Sequence, residues 1–231
     1  MIHFITLSLF PKIFETPLDH SIIKRAQDSK LVRFSHYNIR DFTKDKHKRV
    51  DDIIYGGGAG MLMTPQPIFD AIEYIKKFEG DAEVIFFTPK GDKLNSKIVQ
   101  KYASTDIPKF EKRYILLCGR YEGIDNRVRE ILVDHEISIG DFILSGGEFA
   151  ALIFMDSVIR YLDGALGNKE SLEEESFNNN LLEYPQYTRP ANFRGMEVPK
   201  VLLSGHHKKI KEWRLEKQIE ITKRVRKELL K

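Results

Sequence analysis

The most informative segment of the sequence is Ile139-Gly140-Asp141-Phe142-Ile143-Leu144-Ser145-Gly146-Gly147-Glu148, which follows Cys118-Gly119-Arg120-Tyr121-Glu122-Gly123 in the chain. Each of these glycine-bearing segments comes after an apolar, strand-like run. Because glycine has no Cβ, such segments let backbone amides and carbonyls approach a ligand closely. A third segment, Thr88-Pro89-Lys90-Gly91, follows Val84-Ile85-Phe86-Phe87 in the same way. Three loops of this kind predict one ligand crevice at the carboxyl edge of a sheet.

The first 162 residues alternate strand-like runs with helical patterns, which predicts an α/β sheet with flanking helices. The strand-like runs are residues 3–7, 31–39, 82–87, 113–118 and 136–139. A proline-started amphipathic helix is predicted from Pro65, and another helix is predicted from Gly147 to about residue 162. Ser96 is predicted to cap a helix over 97–103, and Asp125 one over 126–133.

The last third of the chain has a different character. Residues 163–176 are rich in acids and predict an exposed linker, so that residues 177–231 form a second, helical domain. Residues 186–199 are predicted to be irregular, and Ser204 to start a helix through residue 230. An apolar face is predicted on that helix by the spacing of Leu215, Ile219, Thr222, Val225 and Leu229.

Positive charge is concentrated at the carboxyl-terminal end. Residues 206–231 contain ten Lys or Arg and four Glu, a net charge of +6, whereas the whole chain carries +3. These charges could simply form the solvated face of a helix, but the clustering of the lysines and arginines favours contact with a polyanion. Trp213 lies in the same helical pattern, where packing is favoured over stacking on a base.

Composition excludes several classes of protein. The single cysteine, Cys118, forbids an internal disulfide, and its place after an apolar strand favours a buried residue over a nucleophile. Neither a membrane-length apolar run nor a signal-peptide pattern is present, so we expect a cytoplasmic protein without a membrane partner. Sequence motifs for dinucleotides, P-loop nucleotides and structural zinc are missing.

Several segments together resemble the bacterial tRNA (guanine-N1)-methyltransferases, which modify the guanine 3′ of the anticodon, position 37. Besides the glycine-bearing segments, these are Ser8-Leu9-Phe10-Pro11, Tyr55-Gly56-Gly57-Gly58-Ala59-Gly60-Met61, Tyr187-Thr188-Arg189-Pro190 and Leu202-Leu203-Ser204-Gly205-His206. The resemblance implies a trefoil-knotted, mostly parallel sheet that binds S-adenosylmethionine, and a small helical tRNA-binding domain. It also implies a homodimer with each active site at the interface, and dependence on magnesium, although no carboxylate cluster specifies a metal site.

The resemblance also implies the binding residues. Those at the cofactor are Phe86, Phe87, Thr88, Pro89, Gly91, Gly119, Tyr121, Glu122, Gly123, Ile139, Gly140, Phe142, Leu144, Ser145, Gly146 and Gly147. Those at the RNA are His47, Arg49, Gly57, Gly58, Gly60, Ser176, Arg189, His206 and Lys208. From composition alone, the glycine loop would be flexible and the segment around His47 would be a solvated loop. The functional alternative is that His47 and Arg49 contact phosphate and that Asp51 orients one of them.

Methylation of guanine N1 needs a carboxylate to accept the N1 proton and a cation to meet the charge that develops on O6. Arg160 matches the family position of the cation, although an ion pair with Asp156 is its default explanation. The family has aspartate before Ser-Phe, whereas this chain has Glu175. Glu175 is therefore the predicted base, with Glu174 as the substitute, and a solvated linker is the interpretation without the resemblance.

Two rival functions remain at this point. A ribose 2′-O-methyltransferase of the same superfamily would need no base for N1 and would leave Glu175 without a catalytic role. A noncatalytic RNA-binding protein would use the basic carboxyl-terminal segment and leave the crevice empty. Binding of S-adenosylmethionine and the identity of the methylated atom separate these alternatives.

Overall fold

A computed structural model of the chain describes residues 1–104, 111–166 and 175–230. The chain divides into two compact units, Met1–Gly167 and Asn168–Lys231. Most of the predicted linker, residues 167–174, lies outside the described residues. The predicted domain limits at residues 162 and 177 therefore stay a prediction.

The first unit is built on a five-stranded parallel sheet with the order β2-β1-β6-β5-β7. A separate antiparallel pair joins β3 to β4. The strands are β1 (Ile2–Ser8), β2 (Val32–Asn38), β3 (Asp51–Ile53), β4 (Met61–Met63), β5 (Glu83–Lys93), β6 (Lys112–Leu117) and β7 (His135–Ser138). All five runs predicted from the sequence are strands of the main sheet, which confirms the α/β class. The short pair β3–β4 was not predicted, and the knot stays an expectation.

Helices cover both faces of the sheet. They are α1 (Glu15–Leu18), α2 (Ser21–Asp28), α3 (Pro65–Glu79), α4 (Ser96–Ala103), α5 (Asn126–Leu132) and α6 (Glu148–Arg160). One apolar cluster contains Phe4 of β1 and Phe154 of α6, and the other contains Ile5 of β1 and Ile72 of α3. Every residue of β1 is buried, as expected for the middle of a parallel sheet covered on both faces. The predicted helices are thus confirmed by position.

The caps of two helices test the sequence prediction directly. Asp125 accepts a hydrogen bond from the Arg127 amide, as predicted. The prediction of Ser96 as a cap was wrong, because Asn95 fills that position. The Asn95 carboxamide oxygen accepts from two amides of the first turn, and Ser96 is already helical.

Within its described residues, 175–230, the second unit contains a hairpin, two α-helices and short 3₁₀ segments. Its α and β elements are β8 (Asn192–Phe193), β9 (Met196–Glu197), α7 (Lys200–Leu203) and α8 (His207–Val225). The prediction that residues 186–199 are irregular was therefore wrong in part. The long predicted helix begins at His207, because Gly205 adopts a left-handed φ of 70° that interrupts a helix.

The apolar face predicted for α8 is only partly buried. Thr222 is fully buried, and its Oγ1 accepts from the Leu182 amide and donates to the Gln218 carbonyl. Leu215 and Val225 are about half exposed, at 50% and 54%. In the described residues, no helix is both long and apolar enough to cross a membrane.

Polar side chains of β1 and β2 take part in a cluster. His3 is fully buried, its Nε2 lies 2.9 Å from Ser35 Oγ, and its Nδ1 lies 4.0 Å from the Glu79 carboxylate. Burial, together with the nearby Arg33 guanidinium, lowers the pKa of His3 to about 4. Burial also lowers the pKa of His36. The fold therefore holds these imidazoles neutral at a pH where an unfolded chain would protonate them.

We expect the free energy of unfolding to fall as the pH is lowered from about 6.5 toward 4, because the unfolded chain then binds a proton that folded His3 excludes. One such proton changes stability by about 1.4 kcal/mol per pH unit. Denaturant titrations across this range measure the slope. His3→Gln should flatten the slope only in part, because His36 and the hydrogen-bonded carboxylates of Glu79 and Glu111, whose pKa values are also lowered, contribute to it as well. Equal slopes in His3→Gln and wild type would contradict the assignment.

Candidate functional site

A cleft of about 270 Å³ opens at the carboxyl ends of β6 and β7, beside residues 86–89 of β5. Its wall combines aromatic rings, backbone groups and glycines, a composition that suits a small organic ligand. The lining residues are Phe86, Phe87, Thr88, Pro89, Gly119, Arg120, Tyr121, Glu122, Gly123, Ile137, Ser138, Ile139, Gly140, Phe142, Ile143, Leu144, Ser145, Gly146, Gly147 and Ala150. The crevice predicted from the strand ends is present, and it gathers every predicted cofactor residue except Gly91.

The segment after β6, residues 119–123, forms one wall of the cleft as a tight turn. Gly123 donates from its amide to the Arg120 carbonyl at 3.0 Å and has a φ of 117°. Tyr121 also has a positive φ, 58°, which is uncommon for a residue with a side chain. Residues 119–123 of this turn line the cleft, and the use of their backbone groups by a ligand stays a prediction.

Strand β4 is hydrogen-bonded to this turn. The Glu122 amide donates to the Met61 carbonyl, and the Met63 amide donates to the Gly123 carbonyl. The Asp125 amide donates back to the Met63 carbonyl at 3.0 Å. Three backbone hydrogen bonds therefore fix the turn to the segment that follows the glycine-rich loop 56–60.

The two glycine-bearing loops touch at Gly147. Its amide donates to the Gly119 carbonyl at 3.0 Å. A Cβ at Gly147 would lie 2.9 Å from the Cys118 Cα, so a side chain there would force the loops apart. Cys118 itself is fully buried, which confirms the predicted burial and raises the pKa of its thiol.

Arg120, which is partly buried, and Glu148, which is fully buried, form an ion pair beside the cleft. The Glu148 carboxylate has no exposed side-chain surface; its Oε1 accepts from Ser8 Oγ at 2.6 Å, and its Oε2 lies 3.0 Å from Arg120 Nη2. Arg120 also donates from Nη1 to the Ser145 carbonyl at 3.1 Å. The Arg120 guanidinium thus links the turn after β6 to the loop before α6. Through Glu148 it is also linked to the end of β1.

The third predicted loop has a different form in the structure. Thr88 to Gly91 lie inside β5 as a bulge, because the pairing with β7 shifts register between Phe87 and Asp92. Gly91 does not line the cleft. A Cβ there would lie 2.4 Å from the Glu136 and Ile137 backbone, so the glycine permits close contact between two strands. Its predicted contact with the cofactor stays a prediction.

The RNA candidates of the first unit lie on exposed loops. Arg49 pairs with Asp45, with Arg49 Nη2 at 2.9 Å from Asp45 Oδ2, and this pairing lowers the pKa of Asp45 to about 2. Asp45 also accepts from the His47 amide, so Asp45 contacts both residues in the structure, and an orienting role of Asp51 toward phosphate stays a prediction. Asp45 is better placed because a turn over the intervening residues brings its carboxylate back to Arg49.

The glycine loop is exposed at Gly57 and Gly58, where a Cβ would meet no other atom within 4 Å. Gly60 is different, because a Cβ there would lie 2.7 Å from the Glu122 side chain. This places the glycine loop directly beside the turn after β6. A predicted RNA segment and a predicted cofactor residue are therefore in contact.

The predicted catalytic residues belong to different units. Arg160 is the last residue of α6 and is half-buried, whereas Glu175 lies in the second unit and is also half-buried. Glu174 lies outside the described residues. Ser176 Oγ accepts from the Glu183 amide, and Arg189, His206 and Lys208 are exposed.

Sequence reasoning missed the Arg120–Glu148–Ser8 cluster. The available signal was weak: an acid directly after Gly146-Gly147 at the start of a helix, and an arginine inside the turn that supplies backbone groups. No group of three or more His, Cys, Asp or Glu side chains within residues 1–104, 111–166 and 175–230 could hold a metal ion.

Comparisons with known proteins agree over nearly the whole chain. The family profile described as "tRNA (Guanine-1)-methyltransferase TrmD" matches residues 2–231. A tRNA (guanine-N(1)-)-methyltransferase of Caldanaerobacter subterraneus is 54% identical over 228 residues, which cover 99% of this chain and 91% of the relative. That of Clostridioides difficile is 51% identical and covers 97% of this chain and 96% of the relative.

A solved structure is also similar. The crystal structure of the tRNA (m1G37) methyltransferase from Aquifex aeolicus superimposes with a TM-score of 0.78 at 40% sequence identity. The match covers 96% of this chain and 91% of the other. At this identity the similarity extends to the sequence as well as to the fold.

Proposed function

Because the chain belongs to the tRNA (guanine-1)-methyltransferase family, we propose that it transfers a methyl group from S-adenosylmethionine to N1 of guanine 37 in tRNA. The observation that carries this proposal is the cleft at the ends of β6 and β7 and beside β5, which gathers all the cofactor residues implied by the family resemblance except Gly91. A family of methyltransferases implies use of S-adenosylmethionine.

The cleft fits that methyl donor. Its wall offers the rings of Phe86 and Phe87 in β5, the turn after β6 and residues 139–147. Aromatic and apolar surface with a few backbone partners suits an adenosine group. Glu122 is a carboxylate in the wall, and its negative charge suits the positive sulfonium. When bound, S-adenosylmethionine supplies an electrophilic methyl group and leaves as a neutral thioether.

Residues of this chain supply the other half of the chemistry. Guanine N1 carries a proton, and we assign Glu175 to accept it. As the N1–H bond breaks, the N1 electron pair becomes free to bond to the methyl carbon, and negative charge develops on O6. Arg160 meets that charge, which lowers the energy of the transition state. The guanine leaves its stack to reach these groups.

We also propose that the cytoplasmic enzyme works as a homodimer with each active site at the interface. Phe142, Ile143 and Phe149 are exposed by 54%, 80% and 53%, and they lie in or beside the cleft wall. Adjacent exposed apolar side chains are typical of a surface that another protein covers. Magnesium dependence is an implication of the family resemblance, to be tested by adding a chelator to the assay.

The function is tested by incubating the protein with S-adenosylmethionine and a tRNA transcript with guanine at position 37, and by mapping the modified atom. Methylation at N1 of guanine 37 is the expected result, and a transcript with adenine at that position is the control. A ribose 2′-O-methyl product would support the first rival. Tight binding of tRNA without binding of S-adenosylmethionine would support the noncatalytic rival.

Arg160→Ala is expected to lower the single-turnover rate by about a hundredfold, the typical loss for one donor to a developing oxyanion. Calorimetry should show little change in affinity for S-adenosylmethionine. Asp156→Ala is the matched control, because it removes the acid that would pair with Arg160 on the same helix face. A rate near wild type in Arg160→Ala would favour the structural ion pair.

A further inference from the structure

The hairpin of the second unit presents an aromatic ring and a cation at its tip. β8 and β9 pair Phe193 with Met196, and these two side chains are exposed by 53% and 64%. The Arg194 guanidinium lies over the Phe193 ring, 5.2 Å from its centre. The tip is therefore a small apolar surface with a positive charge on it.

The turn holds this surface in place. Arg194 and Gly195 connect the strands with φ values of 54° and 83°, the left-handed pair that a tight two-residue hairpin requires. Asn192 Oδ1 accepts from the Gly195 amide at 3.0 Å, and the Val198 amide donates to the Ala191 carbonyl at 2.9 Å. Asparagine or glycine fits the first turn position better than arginine does. The geometry of the turn therefore does not explain why residue 194 is an arginine.

We infer that this tip stacks against an unpaired base of the tRNA. An exposed aromatic ring beside a guanidinium is the combination with which proteins hold unpaired bases, because the ring stacks on the base and the cation meets the adjacent phosphate. The inference rests on the proposed function, and it assigns a contact to residues outside the cleft and outside the basic helix α8.

Charge favours RNA over other occupants of this surface. Residues 186–205 around the tip contain Arg189, Arg194 and Lys200 against one acid, Glu197. The same unit carries the basic run from His206 onward. A polyanion therefore meets positive charge on the hairpin and on the helix of one compact unit.

Phe193→Leu keeps apolar surface but removes the ring, and it should weaken tRNA binding by roughly fivefold to a hundredfold, the range for loss of one base stack. Phe193→Trp should restore or exceed the wild-type affinity. Arg194→Asn, which suits the turn, should weaken binding and lower the salt slope by about one, whereas Phe193→Leu should leave the slope unchanged. The dissociation constant of S-adenosylmethionine should not change in these three variants.

Phe78→Leu is the matched control, because Phe78 is another exposed ring with a cation over it, Lys77 at 5.5 Å, but it lies on α3 of the first unit. Equal tRNA affinity in Phe193→Leu and wild type would overturn the inference. A change of oligomeric state in Phe193→Leu, measured by sedimentation, would also overturn it by assigning the tip to a second copy. Failure of the wild-type protein to methylate tRNA would refute the proposed function instead.

Discussion

Glu175→Gln is expected to lower the single-turnover rate of methyl transfer by about a hundredfold to ten-thousandfold, the range for loss of a general base. Glutamine keeps the shape of the side chain but cannot accept the N1 proton. Single-turnover methylation with saturating S-adenosylmethionine and tRNA measures the chemical step. The family has aspartate at this position, so the result decides whether the longer side chain carries the same chemistry.

Two further substitutions make this test specific. Glu174→Gln removes the neighbouring carboxylate and should cost much less. Glu175→Asp should slow the enzyme if the site has adapted to glutamate, and should hold or raise the rate if it has not. A near-normal rate in Glu175→Gln with a collapse in Glu174→Gln would assign the base to Glu174, and near-normal rates in both would exclude a carboxylate base in this segment.

Arg120→Ala is expected to lower the free energy of unfolding by about 3–5 kcal/mol, because it leaves the Glu148 carboxylate buried without its partner. Urea titration followed by circular dichroism measures the loss. Affinity for S-adenosylmethionine should also fall, since Arg120 holds the Ser145 carbonyl and lines the cleft.

The control removes both charges together. The double variant Arg120→Met with Glu148→Gln leaves no unpaired charge and keeps an acceptor for Ser8 Oγ, so it should recover much of the lost stability. Recovery of stability without recovery of cofactor affinity would separate the positioning role of Arg120 from its role in folding. A stability of Arg120→Ala equal to wild type would show that Glu148 does not need its partner.

The main elements of the first unit could be predicted because their signals are local. Buried strands of a parallel sheet read as short apolar runs, and the Asp125 cap lies next to the helix that it starts. The bulge in β5 could not be predicted, because it depends on pairing with β7, which follows about 45 residues later in the chain. The hairpin of the second unit was missed because its strands have two residues each and its turn begins with arginine instead of asparagine or glycine.

In the candidate site, too, local features could be predicted and features that depend on the rest of the fold could not. The glycine loops that follow the strands predict where the cleft lies, because the carboxyl ends of parallel strands meet at one edge of the sheet. Roles for Arg160 and Glu175 came from the family resemblance and the chemistry of guanine N1, because nothing local distinguishes Glu175 from its acidic neighbours. Asp45 was passed over for Asp51 because both acids are near Arg49 in sequence, and only the backbone path decides between them.

The hydrogen bond between Ser8 and Glu148 joins residues that are 140 positions apart in the chain. Contacts of such long sequence separation form slowly, because much of the chain must be ordered before they can close. We therefore expect the cleft to be completed late in folding, after β1, β6 and α6 have assembled. A ligand that fills it stabilises the finished protein without assisting the early steps, so its presence should lengthen the lifetime of the folded state and leave the folding rate unchanged.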